Sequence, residues 1–154
     1  MSLKDTISDE IKTAMKAKDK LRLETVRGIK KVILEKETTV RAKGQEGLTP
    51  DEDMEILVQQ AKQRRDSIEQ YRNAGRDELA DKEAQELEII ESFLPKQLTD
   101  EEIGSVVDKL ITETGASSAR DMGKVMGLAM KQLKGKADGK KVQDLVKTKL
   151  SSLS

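Results

Sequence analysis

The chain contains no cysteine, no histidine and no tryptophan, with one tyrosine, one phenylalanine and two prolines among 154 residues. Without thiols or imidazoles it cannot form a disulfide, a Cys/His metal site, a Ser-His-Asp or Cys-His couple, or the usual neutral-pH proton shuttle. Most hydrolase and redox templates are thereby excluded. With aromatics at 1%, the residues that stabilise half-buried sheets are nearly missing, which argues against an all-β fold. No stretch approaches the roughly 18 apolar residues that span a bilayer, and Met1-Ser2-Leu3-Lys4-Asp5 turns polar at once. The expectation is a soluble, cytoplasmic protein with no cofactor, no metal and no membrane partner.

What is present is charge and aliphatic periodicity. Charged residues make up 38% and hydrophobic residues 35%, with 29 Lys+Arg balancing 29 Asp+Glu; thin aliphatic cores in small helical bundles fit that composition. Leu3, Ile7, Ile11 and Met15 form a helical stripe behind Ser2, whose hydroxyl is placed to cap with Asp5. A second stripe runs through Leu21, Thr25, Gly28/Ile29 and Val32/Ile33, ending near residues 36–42 before the break Gly44-Gln45-Glu46-Gly47. Thr49-Pro50-Asp51-Glu52 reads as a capping box with proline in the first turn. It opens a helix carrying Met54, Leu57, Val58, Ala61 and Ile68, which Asn73-Ala74-Gly75 stops in a left-handed turn. A fourth helix carries Leu79, Ala80, Ala84, Leu87, Ile90 and Leu94 up to Pro95. These two helices, about 23 and 18 residues by periodicity, pair as an antiparallel hairpin.

The pattern restarts beyond Pro95. Thr99-Asp100-Glu101-Glu102 is a second capping box, followed by Ile103, Val106, Val107, Leu110 and Ile111 and a stop at Gly115. Ser118-Ala119-Arg120-Asp121 opens a helix with Met122, Val125, Met126, Ala129, Met130 and Leu133; Asp138-Gly139 opens the last, with Val142, Leu145, Val146 and Leu150. The fold class expected is all-α: an N-terminal four-helix domain over residues 1–94 and a three-helix C-terminal domain over residues 95–154.

Charge is segregated although the total is zero. Residues 1–47 hold 12 basic and 8 acidic side chains, residues 48–94 hold 6 and 13, and residues 95–154 hold 11 and 8. From Arg120 to Lys149 there are 9 basic and 3 acidic residues, after an acidic stretch around residues 100–113, so the C-terminal domain is electrically polarised.

Three features suggest a surface chemistry. Lys134-Gly135-Lys136-Ala137-Asp138-Gly139-Lys140-Lys141 is a Gly/Lys loop entering a helix, where backbone N–H groups and the helix dipole favour an anion. It is not a Walker A loop, because Gly135 and Gly139 are one residue too close and Lys141 stands where Ser or Thr should hold magnesium. With Lys124 and Lys131 it reads either as a nucleic-acid backbone contact or as a solvated turn. Ala119, Gly123 and Gly127 leave one face of the sixth helix nearly bare; tight packing against helix five or seven is the first expectation, and a surface offered to RNA or a partner helix the second. The Met122, Met126 and Met130 stripe reads foremost as core. The basic-polar run Gln59–Ser67, continuing through Tyr71-Arg72 to Arg76, faces an acidic fourth helix and is expected to form interhelical ion pairs. Asp51-Glu52-Asp53-Glu55 complements a helix dipole and lacks the pattern of a calcium loop. Carboxylates are plentiful, but none stands with a nucleophile beside it, so no intrinsic catalysis is expected.

Gln63-Arg64-Arg65-Asp66-Ser67-Ile68, Phe93-Leu94-Pro95-Lys96-Gln97-Leu98-Thr99, Gly115-Ala116-Ser117-Ser118, Asp121-Met122-Gly123-Lys124-Val125-Met126-Gly127 and Lys134-Gly135-Lys136-Ala137-Asp138-Gly139 together resemble the GatB/YqeY family. The resemblance runs from about residue 3 to residue 150 and looks like a free-standing YqeY-type chain. It implies a module similar to the tail of GatB, the amidotransferase subunit whose tail helps to recognise tRNA while the chemistry resides in other domains and in GatA. The implied role is non-catalytic tRNA binding or association with a tRNA amidotransferase or another protein of the translation machinery. By position, the resemblance and the charge pattern together mark Gly123, Lys124, Gly127, Lys131, Lys134, Gly135, Lys136, Gly139, Lys140 and Lys141 as the RNA-facing residues. A protein-interaction adaptor is the alternative, and participation in glutamine-dependent carbon–nitrogen ligation, which the family label suggests, is a weaker one.

Overall fold

The computed structural model describes residues 2–153 and contains seven α-helices, α1 (Leu3–Ala17), α2 (Lys20–Ala42), α3 (Pro50–Asn73), α4 (Asp77–Glu91), α5 (Asp100–Thr114), α6 (Met122–Leu133) and α7 (Gly139–Ser151). A 3₁₀ turn at Ala119–Asp121 leads into α6, and no strand occurs among the described residues. The fold is all-α. Contacts divide the chain into one compact unit up to Leu94 and another from Pro95 onward.

Local chemistry places the helix ends. Ser2, Asp19, Thr49 and Thr99 each accept a backbone N–H of the helix that follows, satisfying donors that a first turn leaves free. The boxes at Thr49/Glu52 and Thr99/Glu102 are closed in both directions, and Gly75 (φ +73°) and Gly115 (φ +68°) take the left-handed conformation after α3 and α5. The backbone N–H of Thr99 lowers the Glu102 pKa, as that of Thr49 does for Glu52. A carboxylate whose folded-state pKa is depressed stabilises above its unfolded pKa and loses that contribution as pH falls through the folded value. Thr99→Ala is expected to cost about 1 kcal/mol, measured as a lower melting temperature, with a smaller loss of stability on acidification than in the parent.

In the first unit, Ile7, Val26, Ile29, Ile33, Ile56, Leu57, Ala61 and Ile90 form one buried cluster. The inward face of α1 is Ile7 and Ala14, and Met15 is 54% exposed; successive i+4 steps drift by about 40° each, so Leu3, Ile7 and Ile11 start a stripe that Ala14, not Met15, continues. In α3 the buried stripe is Ile56, Leu57, Gln60 and Ala61, with Met54, Val58 and Ile68 half-buried. The α3–α4 hairpin is laced by the expected ion pairs, Arg64 to Glu83 and Glu86, Arg65 to Glu91, and Arg72 to Asp77 and Asp81. Burial and the neighbouring Glu86 push the Glu83 pKa up. The helix expected to reach Leu94 stops at Glu91, because Pro95 disfavours helical geometry at the residue before it and the chain turns through Ser92-Phe93-Leu94.

In the second unit, Ile103, Val107 and Leu110 of α5, Val125, Ala129 and Leu133 of α6, and Val142, Val146 and Leu150 of α7 share one core. Lys141 pairs with Asp100 (2.8 Å) and Lys149 with Asp108 (2.9 Å), so part of the basic α7 is held against the acidic α5.

Candidate nucleic-acid interface

The residues singled out in the C-terminal unit separate into two environments. Gly123, Lys124, Gly127 and Lys131 lie on α6 and are all exposed. At about 100° per residue, Lys124 and Lys131 point within about 20° of each other, and Gly127 and then Gly123 follow round the helix to one side of them. A Cβ built on Gly123 or Gly127 meets nothing within 4 Å. The expectation that helix five or seven packs tightly on these glycines is therefore corrected: the inward side of α6 is Val125, Ala129 and Leu133, and the glycines fall on the opposite side. Gly127→Ala is accordingly expected to raise the stability of the free protein by about 0.5–1 kcal/mol, since an interior helical glycine costs that much in chain entropy and no neighbour resists the methyl; a thermal melt measures it.

The loop after α6 is built differently. Lys134 ends the helix and is exposed, whereas Gly135 is buried at φ +79° and its carbonyl accepts a 2.7 Å bond from Gln97 Nε2. Lys136 keeps its side chain in solvent while its backbone is engaged, the N–H to Leu133 O and the carbonyl from Leu98 N, both 2.9 Å. Gly139 is close-packed, a Cβ there reaching within 2.9 Å of the flexible Met130 Cε. The Lys140 N–H donates to Asp138 Oδ1 at 3.2 Å, so Asp138 already occupies part of the α7 N-terminus. Lys140 is exposed, and Lys141 is engaged with Asp100.

The entry to α6 is also electrostatically ordered. Asp121 accepts the N–H groups of Ser117 (2.9 Å) and Ser118 (3.3 Å), which hold its carboxyl below the ordinary range. Met122 and Met126 pack on the core as expected, but Met130 is 42% exposed and Leu128 is 39% exposed. Leu128 belongs to none of the apolar stripes that the spacing predicts; it lies on the flank of α6, about 100° round from Ala129 on the side of Lys124. Gln97 was likewise visible only as part of a motif, because its bond to Gly135 joins residues 38 positions apart. Among the described residues no helix is long and apolar enough to cross a membrane, and no three acidic, His or Cys side chains gather as a metal-binding group.

The class defined by this arrangement is an all-helical chain of two compact units with an open, lysine-flanked glycine face on its penultimate helix. The chain belongs to the YqeY-like family, whose model, described as "Yqey-like protein", matches residues 4–150. Similar proteins include "Altered inheritance of mitochondria protein 41, mitochondrial" of Pyrenophora tritici-repentis, 32% identical over 149 residues, 91% of this chain and 78% of that protein. The proteins of the same name from Kluyveromyces lactis and Lachancea thermotolerans are 30% and 32% identical, over 87% and 73% of this chain and 68% and 59% of their own lengths. These names overturn the expected cytoplasmic location. The lack of a long apolar stretch is common to proteins of many compartments and does not assign one.

Proposed function

We propose that this chain is a non-catalytic tRNA-binding protein that contacts the sugar–phosphate backbone of folded tRNA through α6, with the exposed lysines of the following loop extending the contact. The observation that carries the reading is the unfilled space over Gly123 and Gly127, bordered along one edge by the exposed Lys124 and Lys131. Such a face lets a polyanion approach main chain closely and supplies charge along one edge without base readout. The excess of basic residues from Arg120 to Lys149 and the resemblance to an amidotransferase tail support the same reading, which leaves association with a tRNA amidotransferase as its biological setting. With a single Phe and a single Tyr in the chain, stacking on splayed bases is not the mode of recognition.

Binding to total tRNA across a salt series tests this. Gly127→Ala is expected to weaken tRNA binding severalfold while leaving the free protein at least as stable as the parent; unchanged affinity would remove the close-approach argument. A protein-docking role is the second reading, favoured by the exposure of Leu128 and Met130 on the same helix. It predicts that tRNA is not bound even at low salt.

A further inference from the structure

A second basic surface lies in the first unit, outside every motif of the C-terminal half. Residues 12–31 hold 8 basic and 2 acidic side chains. Of the basic ones, Arg22 is committed to Glu10 (2.7 Å) and Lys30 to the Ser8 hydroxyl. Lys12 and Lys16 on α1, and Lys20, Arg27 and Lys31 on α2, are exposed and form no ion pair among the described residues. Lys12 and Lys16 are one helical turn apart. Lys20, Arg27 and Lys31 follow at i, i+7 and i+11, a line about 16 Å long on one side of α2. Arg27 brings the two helices' surfaces together, its guanidinium lying 4.0 Å from Met15 Sδ. Of the two acidic residues in this stretch, Asp19 caps α2 by accepting from Arg22 N, and only Glu24 stands among the lysines.

We infer that this α1–α2 face is a second contact for the phosphate backbone of the same RNA. The inference rests on the tRNA reading of the preceding section and adds to it a site on the other unit. Five cations without an ion pair, against the single carboxylate of Glu24 among them, match a polyanion by charge, and their spacing along α2 spans several phosphates. An anionic lipid surface is the less suitable occupant. The apolar stripes of α1 and α2, including Ile7, Val26, Ile29 and Ile33, are turned into the core, leaving Met15 and Leu34 as isolated exposed apolar residues instead of a face that could enter a bilayer interface. Two weak contacts on one chain also multiply through effective concentration, so a module of zero net charge can hold RNA with locally basic faces.

The test uses the full chain and two separate neutralised pairs, Lys12→Gln with Lys16→Gln, and Arg27→Gln with Lys31→Gln, each checked for an unchanged far-UV melt. Against total tRNA, each pair is expected to weaken binding about tenfold at moderate salt and to lower the log–log salt slope by about 1.5–2. If both pairs bind tRNA with parental affinity and slope while reversal of Lys124 and Lys131 weakens it, this surface plays no part and the α6 reading stands. If the parent chain does not bind tRNA at all, both fall. If the pairs retain tRNA binding but lose association with phosphatidylserine-containing vesicles that the parent binds, the face is a lipid contact and the inference is overturned.

Discussion

Leu150→Ala is expected to unfold the C-terminal unit near physiological temperature while the first unit stays folded. Leu150 is fully buried in α7 among Val107, Val125 and Val146, and truncating a buried leucine removes its transfer energy and leaves a cavity, at a cost of about 2–5 kcal/mol. At roughly 0.05–0.15 kcal/mol per residue, a unit running from Pro95 to Ser154 holds only about 3–9 kcal/mol in total. No aromatic side chain belongs to that core, so there is little reserve. Calorimetry of the variant should show one transition displaced strongly downward and a second near its parental temperature. The expected division at residue 94 is at stake, since a single cooperative transition moving as a whole would mean that the units do not melt separately. The proposed tRNA binding should weaken as the second unit melts, because α6 melts with it.

Most of the fold was legible because its punctuation is local. Capping boxes at Thr49 and Thr99, the left-handed glycines 75 and 115, and Pro95 act within a few residues, and each marks a helix end or start within a turn of where the structure has it. Which residues face inward depends on what packs where. The i+4 spacing alone puts Met15 on a buried stripe, whereas helical drift carries it outward; Ile56 and Gln60 are buried in α3 although neither belongs to the expected stripe. The ion pairs of Arg64 and Arg65 were foreseeable because α3 and α4 are joined by a short turn and carry opposite charges.

The candidate interface was legible in composition but not in geometry. Glycines at i and i+4 look the same whether a helix covers them or solvent does, and only the placement of Val125, Ala129 and Leu133 decides that they are open. Similarly, nothing in Gly135-Lys136-Ala137-Asp138 announces that the Gly135 carbonyl and the Lys136 backbone are spent on Gln97, Leu98 and Leu133. The basic surface of α1 and α2 was diluted in the count for residues 1–47, where paired and unpaired cations contribute alike. Pairing across helices is a tertiary property, and it separates Arg22 from Arg27.

Lys124→Glu with Lys131→Glu tests the proposal that α6 presents a polyanion-binding face, and its effect on binding is expected to be large. Both side chains are exposed on a helix whose core side is untouched by the change, so the fold should survive. Each lysine that neutralises a phosphate adds about one unit to the log–log salt slope, and reversing the charge adds repulsion to the lost contact. The measurement is equilibrium binding of total tRNA to parent and double variant across a salt series. Parental binding is expected to weaken steeply with salt, and the variant to show an affinity lower by more than about tenfold and a slope smaller by about two. Equal affinity and equal slope for the two proteins, or no binding by the parent at low salt, would contradict the proposal.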